Sequence, residues 1–269
     1  MLFDFLLFRH LRVARARAMR QVHKRASMAA GKQPQPVVGH YGVPMLPDWS
    51  DRTFAYCHYA TYGDYLPNVL AAIDTPFAFV DIGANQGLFS LVAAKNPNCR
   101  KIVAMEPVPA TFAKLQANLE LNGLEDRAQA FNAAIADRAG SAEIALKPEH
   151  SGAASLREGT DFGGASQTIR LFSIAELDPH LPANLPLFVK IDIEGYEPVA
   201  IRQLLKSAHA GRIMALFYEM DERWSDADEV RAMLNAAGFT AWRKFGIGRH
   251  YDMLAERPLT ATQMAQRVA

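Results

Sequence analysis

Phe77-Ala78-Phe79-Val80-Asp81-Ile82 runs straight into Gly83-Ala84-Asn85-Gln86-Gly87. The first six residues, bounded by Pro76 and Gly83, are short and apolar enough for a buried strand. Gly83 lets the backbone turn sharply and lets a ligand come close, and Gly87 opens the helix read over Gln86–Lys95. Strand, glycine turn and helix in that order begin a parallel α/β sheet.

The pattern recurs downstream. Lys101–Glu106 reads as a second strand and Pro109–Leu121 as a second helix, with Pro109 suited to its first turn. Ala128–Ile135, Leu187–Asp192 and Arg212–Glu219 read as further strands. Helices are expected around Glu197–Ser207 and at Asp226–Ala237, the latter ended by Gly238. Phe239–Phe245 and His250–Ala255 close the chain as an antiparallel pair. Such alternation gives mostly parallel strands, right-handed crossovers and helices on both faces, a doubly wound α/β sheet. Between the third and fourth strands the rhythm breaks. Ser141–Lys147 and Thr168–Phe172 read as extra strands around a Gly/Ser-rich stretch, expected as a loop or lid. With 269 residues and 50% hydrophobic content, the chain can bury one full-sized core.

Open α/β sheets bind ligands at the carboxyl ends of their strands, near the point where strand order reverses. The first strand end offers Asp81, Gly83, Ala84, Asn85 and Gly87. Asn85 breaks the G-x-G-x-x-G fingerprint of dinucleotide binding, and Asp81 would repel a pyrophosphate. S-adenosylmethionine, with an ammonium, a sulfonium and no phosphate, suits an acidic strand end. Glu106 ends the second strand and offers two acceptors to paired ribose hydroxyls.

The fourth strand ends in Lys190-Ile191-Asp192-Ile193-Glu194-Gly195 and the fifth in Glu219-Met220-Asp221-Glu222. Asp192 and Glu194 follow a buried strand at the binding edge and form the candidate catalytic pair, able to meet a cofactor, orient an acceptor or take its proton. Asp221 and Glu222 read as solvated or helix-capping acids. A divalent cation on Asp192, Glu194 and Glu219 is the weaker alternative; no metal is assigned, since the chain has neither His-rich nor EF-hand spacing. His150 and His58 are secondary base candidates. The aromatic run Trp49, Phe54, Tyr56, Tyr59, Tyr62 and Tyr65 reads first as a cap on the sheet edge, and second as a stacking surface for sugar.

The first 25 residues carry seven Lys/Arg against one acid, and the remainder 22 basic against 27 acidic residues. The body therefore shows no general attraction for nucleic acid, and the anion-seeking part is the basic amphipathic arm, residues 1–30. As a helix the arm sets Phe3, Leu7, Leu11, Ala14, Ala18 and Val22 on one face, with Arg9, Arg12 and Arg20 elsewhere. Its apolar run is too short to span a bilayer, and its charge follows that run rather than preceding it as in a secretory signal. The leading expectation is a helix that docks on the body or on a neighbouring subunit, or frays; the alternative is in-plane contact of residues 2–25 with an anionic membrane. Residues 31–47, with four prolines from Pro34 to Pro47, read as an extended linker to a domain spanning 48–269. Two cysteines, Cys57 and Cys99, give no disulfide framework and fit a reducing, cytoplasmic setting.

Four segments in order, VDIGANQGLFS (80–90), EPVPATFAKLQANLELN (106–122), AAIADRAGSAEIAL (133–146) and KIDIEGYE (190–197), resemble the FkbM family of methyltransferases, with core motifs from Phe77 to Glu219. The resemblance implies a class I, Rossmann-like methyltransferase with a mostly parallel seven-stranded sheet and S-adenosyl-L-methionine as cofactor. It implies a hydroxyl acceptor on a sugar, glycan or secondary metabolite. It also implies that Asp81, Gly83, Ala84, Asn85 and Gly87 form the cofactor loop and that Glu106 takes the ribose. Asn132 and Ala133 would lie near the adenine, and Asp192 and Glu194 near the methionine end and acceptor. Tyr65-Leu66-Pro67 and Ser173-Ile174-Ala175 depart from the family's usual aromatic-Glu-Pro and Ser/Thr-Leu-Asp. The alternatives are an NAD(P)-dependent oxidoreductase, disfavoured by Asp81 and the glycine pattern, and a catalytically silent scaffold held at a membrane by its arm.

Overall fold

The chain begins with α1 (Leu2–Ala30), in a computed structural model that describes residues 2–30, 35–156, 159, 163 and 165–258. The stretch expected as an extended linker folds where it is described. β1 (Val37–Val38) and β2 (Pro44–Met45) pair antiparallel, and Tyr41, Val43 and Met45 are buried. The prolines prevent a longer strand, yet these apolar side chains still gain by entering a core. The folded unit therefore starts before residue 48. α2 (Arg52–His58) follows, its N-terminus capped by the Asp51 carboxylate accepting from Thr53 N–H, and then α3 (Tyr65–Ala71).

The sheet opens with β3 (Phe77–Ile82), α4 (Leu88–Ala94), β4 (Cys99–Met105), α5 (Pro109–Leu121) and β5 (Ala128–Phe131). The strand expected over 128–135 breaks at Asn132, whose amide donates to the carbonyls of Glu106 and Pro107, each at 2.9 Å. That local side-chain bonding replaces the ladder. The chain leaves the sheet there, and β6 (Ala134–Ile135) joins β7 (Gly140–Ala145) and β8 (Ser166–Phe172) in a separate three-stranded sheet. The two extra strands read from sequence are thus a real hairpin. Of the Gly/Ser-rich connection, residues 157, 158, 160–162 and 164 lie outside the described residues, and the lid expectation falls partly on them; Ser151–Ala153 form a short turn and Ser155 pairs with Ala145. α6 (Ile174–Leu177), β9 (Leu187–Ile191), α7 (Glu197–Leu204), β10 (Ile213–Asp221), α8 (Ala227–Ala236), β11 (Ala241–Phe245) and β12 (His250–Glu256) complete the described chain.

The main sheet has seven strands in the order β11-β12-β10-β9-β3-β4-β5. β3 is parallel to both β4 and β9, β9 to β10, and β4 to β5; β12 runs antiparallel to β10 and β11. This is the doubly wound class I architecture expected from sequence. Alternate side chains of β3 serve opposite cores: Phe77 and Phe79 pack with α2 to α5, and Ala78, Val80 and Ile82 with α7 and α8. From β3 the chain winds outward to β4 and β5, then returns to β9 on the other side. The carboxyl ends of β3 and β9 therefore flank the switch point where a crevice must open.

α1 docks on the body, but through its cations and not through its apolar face. Ala14 and Ala18 are exposed and Leu11 and Val22 are each 56% exposed, whereas Arg12, Ala16, Arg20 and His23 turn toward the body. Arg20, only 5% exposed, donates to Trp49 O at 3.1 Å, Ser50 O at 2.5 Å and Glu149 Oε2 at 2.8 Å. Arg12 donates to Ala60 O and Asp64 Oδ2, both at 3.1 Å, and His23 stacks on Trp49 at 4.2 Å. The surface beneath α1 presents carbonyls and carboxylates. A planar guanidinium satisfies several of them at once and a leucine none. The side chains of Phe3, Leu7 and Arg9 lie outside those described. Among the described residues no helix is long and apolar enough to cross a membrane.

Candidate active site

The ends of β3 and β9 touch. Gly83 has φ +75°, and a Cβ there would lie 2.0 Å from the Asp192 carbonyl oxygen, so only glycine fits. Asp192 N–H donates to Ile82 O at 3.1 Å. Beneath this junction Asp81 is fully buried, accepts from Ser90 Oγ at 2.7 Å, and lies 3.2 Å from Lys190 Nζ. Lys190 also donates to Gly83 O at 2.6 Å and lies 3.9 Å from Asp192. Burial alone would lower the pKa of Lys190, but Asp81 and Asp192 more than offset it and the net direction is upward.

Asp81 was expected in the cofactor loop; the structure places it under that loop, off the cavity wall, because its carboxylate is taken by Ser90 and Lys190. Through Lys190 it braces the Gly83 turn. Lys190 was not singled out from sequence, although a lysine inside the apolar Leu187–Ile191 strand was a signal that it needed a buried acid.

Asn85, at φ +50°, turns its N–H onto Glu106 Oε2 at 3.0 Å, while Val108 N–H donates to Glu106 Oε1 at 2.9 Å. Glu106 is 5% exposed, and burial pushes its pKa up to about 7 against the lowering effect of these two bonds. Each oxygen keeps acceptor capacity beyond its one backbone bond. Gly87 and Asn132 are also off the wall. Gly87 starts α4 at φ +90°, where a Cβ would sit 2.8 Å from Leu115 Cδ1, and Asn132 braces the turn after Glu106. Gly83, Ala84, Asn85, Glu106, Ala133, Asp192 and Glu194 do line one cavity of about 640 Å³.

Asp192, Glu194 and Glu219 bring carboxylate oxygens within 4.8 Å of one another, the same three acids named in the divalent-cation alternative. Acid clusters are common without an ion, and the three define one acidic corner of the cavity. Burial, then Glu219 and Asp192, push Glu194 up to about 9. Burial and Glu219 raise Asp192 to about 6 in spite of Lys190. Glu197, at 2% exposure, shapes this turn by accepting from Ile193 N–H at 3.0 Å and Gly195 N–H at 3.2 Å. Glu219 is bonded to His250 Nε2 at 2.6 Å, and both face the cavity. His250, on the last strand, escaped the sequence reading because nothing local marks it; only the β10–β12 pairing brings it to Glu219.

The opposite wall comes from the N-terminal third. Arg12, Val13 and Arg17 of α1 and Tyr56, Tyr62 and Tyr65 line it. The aromatic run thus divides: these three tyrosines reach the cavity, while Trp49 and Phe54 are buried in the core as the cap reading expects. Asp51 ties this wall to the cofactor loop, accepting from Gln86 Nε2 at 2.6 Å and Ser151 Oγ at 2.5 Å. His150 lines the cavity, and burial, followed by Arg52, pushes it down to about 4. His58 lies off the cavity, between Trp49, Phe54 and Tyr59, and is a packing residue.

The methyltransferase FkbM domain matches residues 81–241 of this chain. The methyltransferase sdnD of Sordaria araneosa is 25% identical over 210 residues, covering 68% of this chain and 80% of its own length. Among solved structures, TrmK of M. capricolum, in complex with S-adenosylhomocysteine, is 15% identical with a TM-score of 0.44, covering 71% of this chain and 66% of its own. The ribosomal protein L11 methylase of Lactobacillus delbrueckii subsp. bulgaricus is 12% identical with a TM-score of 0.41, covering 71% and 77%. These structures are distant, and the fold assignment rests on the strand order described above.

Proposed function

The chain belongs to the FkbM methyltransferase family, with S-adenosylmethionine as its cofactor, and from that premise we propose that it methylates a hydroxyl of a sugar, glycan or similar polyhydroxylated small molecule. The observation that carries this reading is the cluster of three acids at the switch point, Asp192, Glu194 and Glu219, whose carboxylate oxygens lie within 4.8 Å of one another on the cavity wall. Acids crowded in this way gain when a cation enters, and a pyrophosphate would be repelled. The donor set fits the cofactor: Glu106 for a ribose diol, and the Asp192–Glu194 turn for the positive methionine end.

When bound, the cofactor supplies an electrophilic methyl group on a sulfonium. Glu106, fixed by two backbone N–H groups, orients the ribose without rearranging. Glu194 is protonated at neutral pH and donates a hydrogen bond, whereas Asp192 is ionised above about 6 and takes the acceptor's proton. His250, held by Glu219, gives that proton a second path. Tyr56, Tyr62 and Tyr65 offer faces to a sugar ring and keep water from the site.

The test is incubation of the protein with methyl-labelled cofactor and a panel of methyl glycosides, followed by product analysis. The expected product is an O-methyl ether, lost in Asp192→Asn although that variant stays folded. Full turnover by Asp192→Asn would remove the charge from the mechanism, and label recovered only on nitrogen of RNA or protein would overturn the hydroxyl assignment.

A further inference from the structure

α1 is unlike an ordinary surface helix, with Arg12, Arg20 and Lys24 bonded to the body and apolar side chains turned outward. Leu11, Ala14, Ala18 and Val22 follow i, i+3, i+7, i+11 spacing and form one exposed stripe. From His10 to Ala30 the helix holds six Lys/Arg and no acid. Arg12, Arg20 and Lys24 are engaged by Asp64 and Glu149, and Arg15 lies over the Tyr59 ring. Arg17 and Arg25 are exposed with no carboxylate partner among the described residues. The helix begins Leu2-Phe3-Asp4-Phe5-Leu6-Leu7-Phe8, six apolar residues and one acid. Because buried Arg20 pins α1 to the body, the stripe cannot roll inward to hide.

We infer that the outer face of α1 docks in the plane of an anionic lipid bilayer, the stripe entering the headgroup boundary and Arg17 and Arg25 meeting lipid phosphates. A second copy of the chain would set one acid-poor basic helix against another, whereas an anionic surface complements it. Arg12, Val13 and Arg17 also line the cavity, so docking sets that wall against the headgroup layer. Resting on the function proposed above, this favours acceptors presented at a bilayer, such as lipid-linked saccharides.

The full chain is co-sedimented with vesicles of phosphatidylcholine, with and without phosphatidylglycerol. Binding is expected only with phosphatidylglycerol, weakening as salt rises. Leu11→Glu/Val22→Glu should lower the bound fraction about tenfold, with melting and calorimetric affinity for S-adenosylhomocysteine unchanged. Those controls separate failure here from failure of the cofactor assignment. Absence of vesicle binding by folded wild type, or equal binding by the variant, would overturn the inference. So would self-association without vesicles that the same variant abolishes, since it would give the stripe to a second copy.

Discussion

At the carboxyl end of β3 a buried acid, Asp81, meets one lysine from the neighbouring strand; on α1 a buried arginine, Arg20, reaches three oxygens from distant loops. Asp81 and Lys190 are register partners in the β3–β9 ladder, so the backbone itself delivers the pair. Arg20 instead depends on a long side chain finding Trp49, Ser50 and Glu149. The cavity floor is thus set by sheet geometry and its outer wall by side-chain reach. Changes to the floor should disturb folding and cofactor together, and changes to the wall should disturb stability with little effect on the cofactor.

The largest effect is expected from Lys190→Met, which strands buried Asp81. It should cost ~3–5 kcal/mol in denaturant unfolding, with partial recovery on adding Asp81→Asn. Wild-type stability in the single variant would break the distinction at once. Arg20→Ala should cost ~2 kcal/mol, leaving two carbonyls without a donor, while S-adenosylhomocysteine affinity holds; a matching loss of affinity would show that wall and floor are one unit. Glu106→Ala should do the reverse, weakening cofactor binding by ~1.5–3 kcal/mol; unchanged affinity by calorimetry would sink its ribose role.

The pH response follows from the raised acids. Asp192 near 6, Glu106 and Glu197 near 7 and Glu194 near 9 all lie above their unfolded values. Their folded forms hold extra protons, so their contribution is full below about 4 and is lost as pH climbs through those values. Melting of the cofactor-free protein should therefore fall from mildly acidic to alkaline pH, and the sulfonium cofactor should flatten that slope. A slope of opposite sign would contradict the raised acids. Arg12→Ala, at a half-exposed ion pair with Asp64, should cost ~1 kcal/mol or less in thermal melting.

How much of this was legible in the sequence follows the same division. The strand-end motifs Gly83 to Asn85, Glu106 and Asp192 to Glu194 announced themselves because strand, turn and acid are contiguous, and the structure brings them to one cavity. Asp81, Gly87 and Asn132 were found as part of those motifs but turned out to support the wall from behind, since a motif does not say which side of a turn faces the ligand. The outer wall was not legible in the same way. Helical periodicity finds an apolar stripe but not the surface beneath it, and α1 covers carbonyls that call for arginine. His250 needs the β10–β12 register, which a local reading cannot supply.

The central claim is that the switch-point acids and Glu106 hold a cationic, phosphate-free cofactor. Calorimetric titration of the full chain with S-adenosylmethionine, S-adenosylhomocysteine and NAD⁺ tests it most directly. Micromolar binding of the first two and none of NAD⁺ is the expected result. Binding of NAD⁺ in preference to either would contradict it.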